Sequence, residues 1–288
     1  MASSEALTEI ALKDDDVAGG LELSRGAGWN QTAADWACFI GQGQGIGYRA
    51  DSGRLVATAA ALPYDGGVGW ISMVLVAPEW RHRGLASRLV DRCVKHLQAR
   101  GLTPVLDATP AGQPVYRQLG FRDGFSFERW EGAGLDGAAA DGERDDAGDV
   151  VRAARSADVD AHVALDQAAN GIGRRALLRD MLGRSGTQAW LTADGNGFAM
   201  VRDGERAAQI GPVVAKGAAA ALGLFGAALR SRAGAVFVDV PMRWRESPRW
   251  LEARGFAKQR PFARMALGAV QPFACGDRQF ALAGPEFG

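Results

Sequence analysis

One order of elements is read twice along the 288 residues, on either side of a stretch that cannot build a core. Residues 131–149 read EGAGLDGAAADGERDDAGD, with Leu135 as the one large apolar side chain. A segment so rich in Gly, Ala and Asp buries too little surface to order itself, and it reads as a linker. On both sides, runs of β-branched and apolar residues alternate with helical periods in the same sequence. The pattern predicts an internal duplication, with one domain at 1–130 and a second at 150–288.

In the first half, strands are predicted at residues 7–12, 45–50, 54–63, 68–76, 104–108 and 125–130. Helices are predicted at 15–24, 32–40, 84–100 and 114–119. Thr32, ahead of Ala33-Ala34-Asp35, is a natural N-cap. Leu85, Leu89, Cys93 and Leu97 recur every four residues, and Gly101 suits the end of that helix. The second half predicts strands at 150–154, 188–193, 198–202, 208–215, 235–240 and 262–267. Its helices fall at 159–168, 175–182, 218–231 and 248–254. Local echoes support the duplication. Leu106-Asp107 answers Val238-Asp239, and Leu119-Gly120-Phe121 answers Arg254-Gly255-Phe256.

The chain has 33 basic and 33 acidic residues, so no net field gathers nucleic acid or an anionic membrane surface. No apolar run approaches the ~18 residues of a membrane span. The first residues, MASSEALTEIALKDDD, lack the basic and apolar regions of a signal peptide. Cys38, Cys93 and Cys275 are few and far apart, neither a disulfide framework nor a zinc spacing. These features predict a cytoplasmic protein with no metal, nucleic-acid or membrane partner.

Chemistry concentrates in Val74-Leu75-Val76-Ala77-Pro78-Glu79-Trp80-Arg81-His82-Arg83-Gly84-Leu85-Ala86. A strand ends, a glycine-bearing loop turns and a helix begins. The first N–H groups of a helix lack intrahelical partners, and the helix dipole adds to their positive end. Such a start binds a pyrophosphate without any particular side chain. Gly84 and Ala86 leave room for phosphate oxygens, while Arg81 and Arg83 add charge at the rim. The alternative is a solvated basic loop. Neither a G-x-G-x-x-G nor a Walker loop is present.

Arg81-x-x-Gly84-x-Ala86 after a Val-rich strand resembles the acetyl-CoA signature of the GNAT superfamily. Tyr116, four residues before Gly120-Phe121, resembles its second mark. Gly28-Trp29-Asn30-Gln31-Thr32, Leu106-Asp107-Ala108-Thr109-Pro110 and Ala283-Gly284-Pro285-Glu286-Phe287-Gly288 resemble a bacterial group with two such domains in tandem. The resemblance implies a mixed α/β fold of two GNAT-like domains. Each would hold a mostly antiparallel central sheet with a splayed parallel strand pair, flanked by helices. It also implies an N-acetyltransferase that moves an acetyl group from acetyl-CoA to a primary amine of a small molecule by direct attack. Val74, Val76, Arg81, Arg83, Gly84, Leu85, Ala86 and Thr109 would bind acetyl-CoA. Tyr116 would protonate the leaving thiolate, unless it is merely a core aromatic beside Phe121.

Residues 68–76 contain no Asp or Glu, so the usual strand carboxylate is missing as a general base. Asp107, Asp35 and a water chain are the alternatives. His82 reads as an exposed loop residue, and His96 and His162 as helix-surface residues. Trp29, Asn30, Gln31 and Trp36 would face the acceptor amine, although Trp29 and Trp36 could equally form a core stripe. The second half lacks both signatures and is expected to bind no acetyl-CoA. It would wall the acceptor pocket, with Arg243, Trp244 and Arg245 as a possible carboxylate contact. Two other functions fit the same residues: an acyl-CoA-binding sensor without turnover, and a protein-lysine acetyltransferase.

Overall fold

The computed structural model describes residues 6–135, 151–268 and 276–288. Most of the predicted linker, and Cys275, lie outside the described residues. The first half contains β1 (Leu7–Ala11), α1 (Val17–Gly26), α2 (Ala33–Gln42), β2 (Gln44–Ala50), β3 (Leu55–Tyr64) and β4 (Val68–Val76). It continues with α3 (Leu85–Ala99), β5 (Thr103–Ala108), α4 (Gln113–Gln118) and β6 (Phe121–Ala133). The second half repeats that order. It runs through β7 (Val151–Ala153), α5 (Val159–Asn170), α6 (Arg175–Gly183), β8 (Gln188–Thr192), β9 (Phe198–Arg202) and β10 (Ala208–Val214). α7 (Ala218–Arg230), β11 (Ala235–Pro241), α8 (Glu246–Glu252) and β12 (Ala257–Leu267) follow. A further strand, β13 (Gln279–Ala281), was not anticipated.

Local chemistry sets these boundaries. At the start of α2, Asp35 N donates to Thr32 Oγ1 at 3.2 Å and Thr32 N donates to Asp35 Oδ2 at 2.8 Å, a reciprocal cap. In α3 the stripe Leu85, Leu89, Val90, Cys93 and Leu97 is buried. The helix lies so close to β4 that a Cβ on Gly69 would come within 2.3 Å of Leu97 Cδ2. His162 is also buried, contrary to the surface position expected. Its ring packs edge-on against Phe198 at 4.9 Å, and its Nδ1 lies 2.8 Å from Asp158 O.

Both halves share one pairing scheme. Strands β1 to β4 pair antiparallel in order and β4 pairs parallel with β5. Strands β7 to β10 do the same and β10 pairs parallel with β11. This identity of topology supports the duplication. Two separate central sheets are not formed, however. The strands join into one sheet in the order β1-β2-β3-β4-β5-β12-β6-β11-β10-β9-β8-β7, with β13 beside β10.

The halves have exchanged their last strands. β12 of the second half lies on β5 of the first, with Ala263 opposite Ala108. β6 of the first half lies on β11 of the second, with Trp130 opposite Val238. β6 and β12 then pair with each other. The exchange leaves no open edge at the centre of the sheet. It also moves the predicted boundary, because Glu131–Ala133 belong to β6 and pair with Ala235–Phe237. Composition read those residues as linker; the backbone groups offered by β11 hold them in the ladder instead. No helix among the described residues is long and apolar enough to cross a membrane.

Candidate functional site

β4 and β5 pair only where Val68–Trp70 meet Thr103–Val105. Beyond Trp70 the strands diverge, and a cleft of about 750 Å³ opens between them. That volume suits an extended cofactor-sized ligand. The wall from β4 is irregular. Met73 has a φ of 52°, and the register against β3 shifts between Thr58 and Ala60. Thr58 Oγ1 donates to Met73 O at 2.9 Å and holds this bulge in place. A positive φ on a non-glycine residue inside a strand is strained, and such strain collects at functional positions.

The mouth of the cleft is the start of α3. Gly84 is its N-cap with a φ of 74°, and no side chain caps the helix. The N–H groups of Leu85, Ala86 and Ser87 therefore lack intrahelical partners. Val74, Val76, Arg81, Gly84, Leu85, Ala86 and Thr109 all line the cleft. Arg83 does not. Its guanidinium stacks on Trp80 at 4.6 Å and donates to Glu79 O, so it braces the loop from outside. His82 is exposed and lines the cleft, as a loop residue would.

Tyr116 of α4 lines the cleft and also packs edge-on against Phe121 at 6.1 Å. Burial pushes its hydroxyl up to about 12, with Cys93 adding to the shift. A Cβ on Gly112 would sit 2.9 Å from the Tyr116 ring, so a glycine there makes room for it. Thr109 Oγ1 accepts from Gly112 N at 3.2 Å and starts the turn that leads into α4.

The four expected acceptor residues separate. Trp29 and Gln31 line the cleft, and Gln31 Oε1 is buried without a hydrogen-bond partner. Asn30 touches the cleft, but its amide is used up on the second half. Its Nδ2 donates to Ala207 O at 2.9 Å, and its Oδ1 accepts from Arg206 N and Ala207 N. Trp36 is not at the site. It is fully buried, donates to Ser24 Oγ at 3.0 Å and meets Phe39 edge-on, so the core stripe prevails there.

Neither carboxylate offered as a base is free. Asp107 lines the cleft, but both of its oxygens are taken by Arg264, at 2.8 and 2.9 Å. Asp35 caps Thr32 and pairs with Arg184 at 2.7 Å. The structure adds four residues that sequence reasoning missed: Arg129 from β6, Arg260 and Phe262 from β12, and Glu286. Arg129 holds Asp239 through two bonds of 2.9 and 2.7 Å. Glu286 is held by Arg202 through Oε1 at 2.6 Å, while its buried Oε2 has no hydrogen-bond partner. Burial raises the Glu286 carboxyl above the usual range, against the pull of Arg202 and Arg129. Their one sequence signal was the segment Ala283–Gly288, which marked Glu286 without a role.

The second half has the same divergence, but its own chain fills it. β10 and β11 pair at Ala208–Ile210 with Val236–Val238, and β13 then joins β10 at Val213 and Val214. Leu282 N donates to Asp239 O at 2.9 Å, tying the segment to β11. Trp244 stacks on Phe280 at 3.9 Å and donates to Gln279 O at 2.6 Å. Arg243, Trp244 and Arg245 are absent from the lining of the cleft, so the expected carboxylate contact is replaced by a cover over β13.

A splayed parallel pair with a bare helix start at its mouth defines the site of an acyltransferase fold. Comparison with known proteins agrees. The acetyltransferase (GNAT) family matches residues 21–121, and an acetyltransferase (GNAT) domain matches residues 162–281. The chain belongs to the GNAT acetyltransferases and carries two such domains in tandem. A Pyrococcus horikoshii protein assigned as an acetyltransferase shares 17% identity at a TM-score of 0.81, over 98% of this chain and 96% of that one. A tandem GNAT protein from the clavulanic acid biosynthesis pathway shares 17% identity at a TM-score of 0.68, over 92% and 100%. At such identities the likeness is one of fold. The uncharacterised N-acetyltransferase YitH of Bacillus subtilis (strain 168) is 28% identical over 122 residues. That match spans 42% of this chain and 43% of YitH, less than half of either.

Proposed function

We propose that the chain transfers an acetyl group from acetyl-CoA to a primary amine of a small molecule by direct attack. The observation that carries this is the divergence of β4 from β5 past Trp70, with the uncapped start of α3 at its mouth. The free N–H groups there, with Arg81 beside them, suit a pyrophosphate. On the diverging edge of β4, the backbone at Val74 and Val76 suits an amide-bearing arm and a thioester oxygen, which a backbone N–H polarises. Acetyl-CoA supplies the activated thioester. Tyr116 keeps its proton through neutral pH and donates it to the departing sulfur. Trp29 and Gln31 face the amine, and Arg260, Phe262, Pro285 and Glu286 narrow that end to a small acceptor.

Calorimetry of acetyl-CoA on wild type and on Gly84→Glu tests this reading. One site per chain, lost in the variant, is expected. Gly84 has open space around its Cβ position but a φ of 74°, so the new side chain strains the loop as well as placing a carboxylate where phosphate would sit, and an unchanged Tm in the variant assigns the loss to the site. Two sites would mean that β13 yields to the ligand. Absence of binding would overturn the function. Binding without turnover across an amine panel would favour the sensor.

A further inference from the structure

We propose that the acceptor is an amino carboxylate, whose ammonium gives its proton to Glu286 and whose carboxylate is held by Arg260. This rests on the acetyl-transfer reading and names the substrate class of that site. Two independent observations lead to it, one from each residue.

Glu286 presents an oxygen with no hydrogen-bond partner among the described residues. Oε1 is held by Arg202, but Oε2 is buried and bare on a residue that lines the cleft. A buried carboxylate oxygen without a donor is costly, which marks a place for a ligand donor. An ammonium N–H fits. The residue is fixed in position by its neighbours. Trp70 donates to Pro285 O at 3.1 Å, and Tyr64 donates to Phe287 O at 3.0 Å.

Arg260 presents a guanidinium that lies over the Phe262 ring at 5.2 Å and that Asp239 and Glu286 attract without contact. It stands directly opposite Arg129 in the β6·β12 ladder. Like charges in that position repel. Arg129 is closed off by Asp239, with Gln209 beside it. Arg260 makes no ion pair among the described residues, and its Nε is buried without a partner. Burial and the neighbouring Arg129 both push its charge towards loss. A carboxylate placed there would relieve both.

The groups around Glu286 are Arg202 from β9, Arg129 from β6, Arg260 from β12, Asp35 from α2 and Tyr64 from β3. The chemistry balances. Glu286 takes one proton from the ammonium; the freed nitrogen lone pair forms the C–N bond. The C–S bond breaks, its electron pair leaves on sulfur, and Tyr116 protonates that sulfur. The amide nitrogen loses its second proton to solvent, Glu286 releases the proton it took to solvent, and solvent restores that of Tyr116.

The test uses matched pairs: L-phenylalanine with phenethylamine, L-lysine with cadaverine, L-glutamate with 4-aminobutyrate, and β-alanine with ethylamine. Free thiol is followed with saturating acetyl-CoA. In at least one pair, the partner with a carboxylate nearest the amine should show a kcat/KM at least tenfold higher. Arg260→Met should raise the KM of that substrate at least tenfold and leave its partner unchanged, without lowering Tm. Glu286→Gln should remove the acidic limb of kcat/KM against pH and lower kcat by about 10²–10⁴-fold. Acetyl-CoA affinity should be unchanged in both variants. Equal loss on both partners in Arg260→Met, or an intact acidic limb in Glu286→Gln, would overturn the proposal. So would no turnover of any amino carboxylate by a protein that binds acetyl-CoA, leaving acetyl transfer to another amine. Failure to bind acetyl-CoA would overturn both.

Discussion

Arg264 of β12 grips Asp107 of β5 through two hydrogen bonds, 2.8 and 2.9 Å long, across 157 positions of sequence. Arg129 of β6 makes the same contact on Asp239 of β11. The Asp residues are the two that echo one another in the sequence. Each is held by the strand that the other half has lent. The exchange is therefore marked chemically as well as topologically, and the pairs sit with almost no solvent exposure.

Breaking one partner of such a pair leaves a buried charge alone, at a cost of about 3–5 kcal/mol. Arg264→Met and Asp107→Leu should each destabilise by that order in urea unfolding. The double substitution should recover most of the loss, because an apolar pair of similar volume replaces both charges. Additive losses would mean that the two residues act through other contacts.

The exchange also predicts the fate of a cut chain. Cleavage at a protease site placed within residues 136–150 should leave the two fragments co-eluting as one species. β6 is flanked on both sides by strands of the second half, so separation would strip it of its whole ladder. Fragments that separate without denaturant would contradict the continuous sheet.

The same features explain what sequence could and could not reveal. Strands and helices were legible because each follows a local period, and the 68–76 strand is found at Val68–Val76. The cleft was legible wherever one contiguous motif supplies it, from Val74 to Ala86. The strand exchange was not, since no local pattern distinguishes β12 on β5 from β6 on β5. Arg129 and Arg260 were missed for that reason: their strands reach the cleft only through the exchange. Glu286 was missed because it comes from the segment after β13, which Tyr64 and Trp70 anchor beside the cleft from far along the chain. β13 was missed because three residues, Gln279–Ala281, carry too short a period to register. Trp36 was misplaced because an aromatic seven residues from Trp29 fits a core stripe and a pocket wall equally well.

Tyr116→Phe should separate binding from chemistry. The ring contact with Phe121 survives, so acetyl-CoA affinity and Tm should change little. The loss should fall on kcat, by about 10²–10⁴-fold for a general acid. With the hydroxyl raised to about 12, wild type should show no fall in kcat from this group below about pH 11. An unchanged kcat in the variant would leave Tyr116 a packing residue.

Stability should fall on the alkaline side, and the sign follows from burial. Cys38, Cys93 and Tyr116 are each pushed up to about 12, from ordinary values of 9.0, 9.0 and 10.0. Burial is the largest cause for all three; at Cys38 the carboxylates of Asp180 and Asp35 add to it against Arg184. In the unfolded chain these groups lose their protons from about pH 9 upward, while the folded chain keeps them to about 12. The folded state then holds more protons, so stability declines as pH rises through that window. Below it both states are protonated and these groups contribute no slope. Cys38 and Cys93 each add up to about 1.4 kcal/mol per pH unit within the window, and Tyr116, half-buried at the cleft, adds less. Urea midpoints should therefore be nearly flat from pH 7 to 8.5 and drop beyond. Cys38→Ala with Cys93→Ala should lower stability at pH 7 through lost packing, yet give a shallower decline above pH 9. An alkaline slope unchanged by the double substitution would place the effect on other groups.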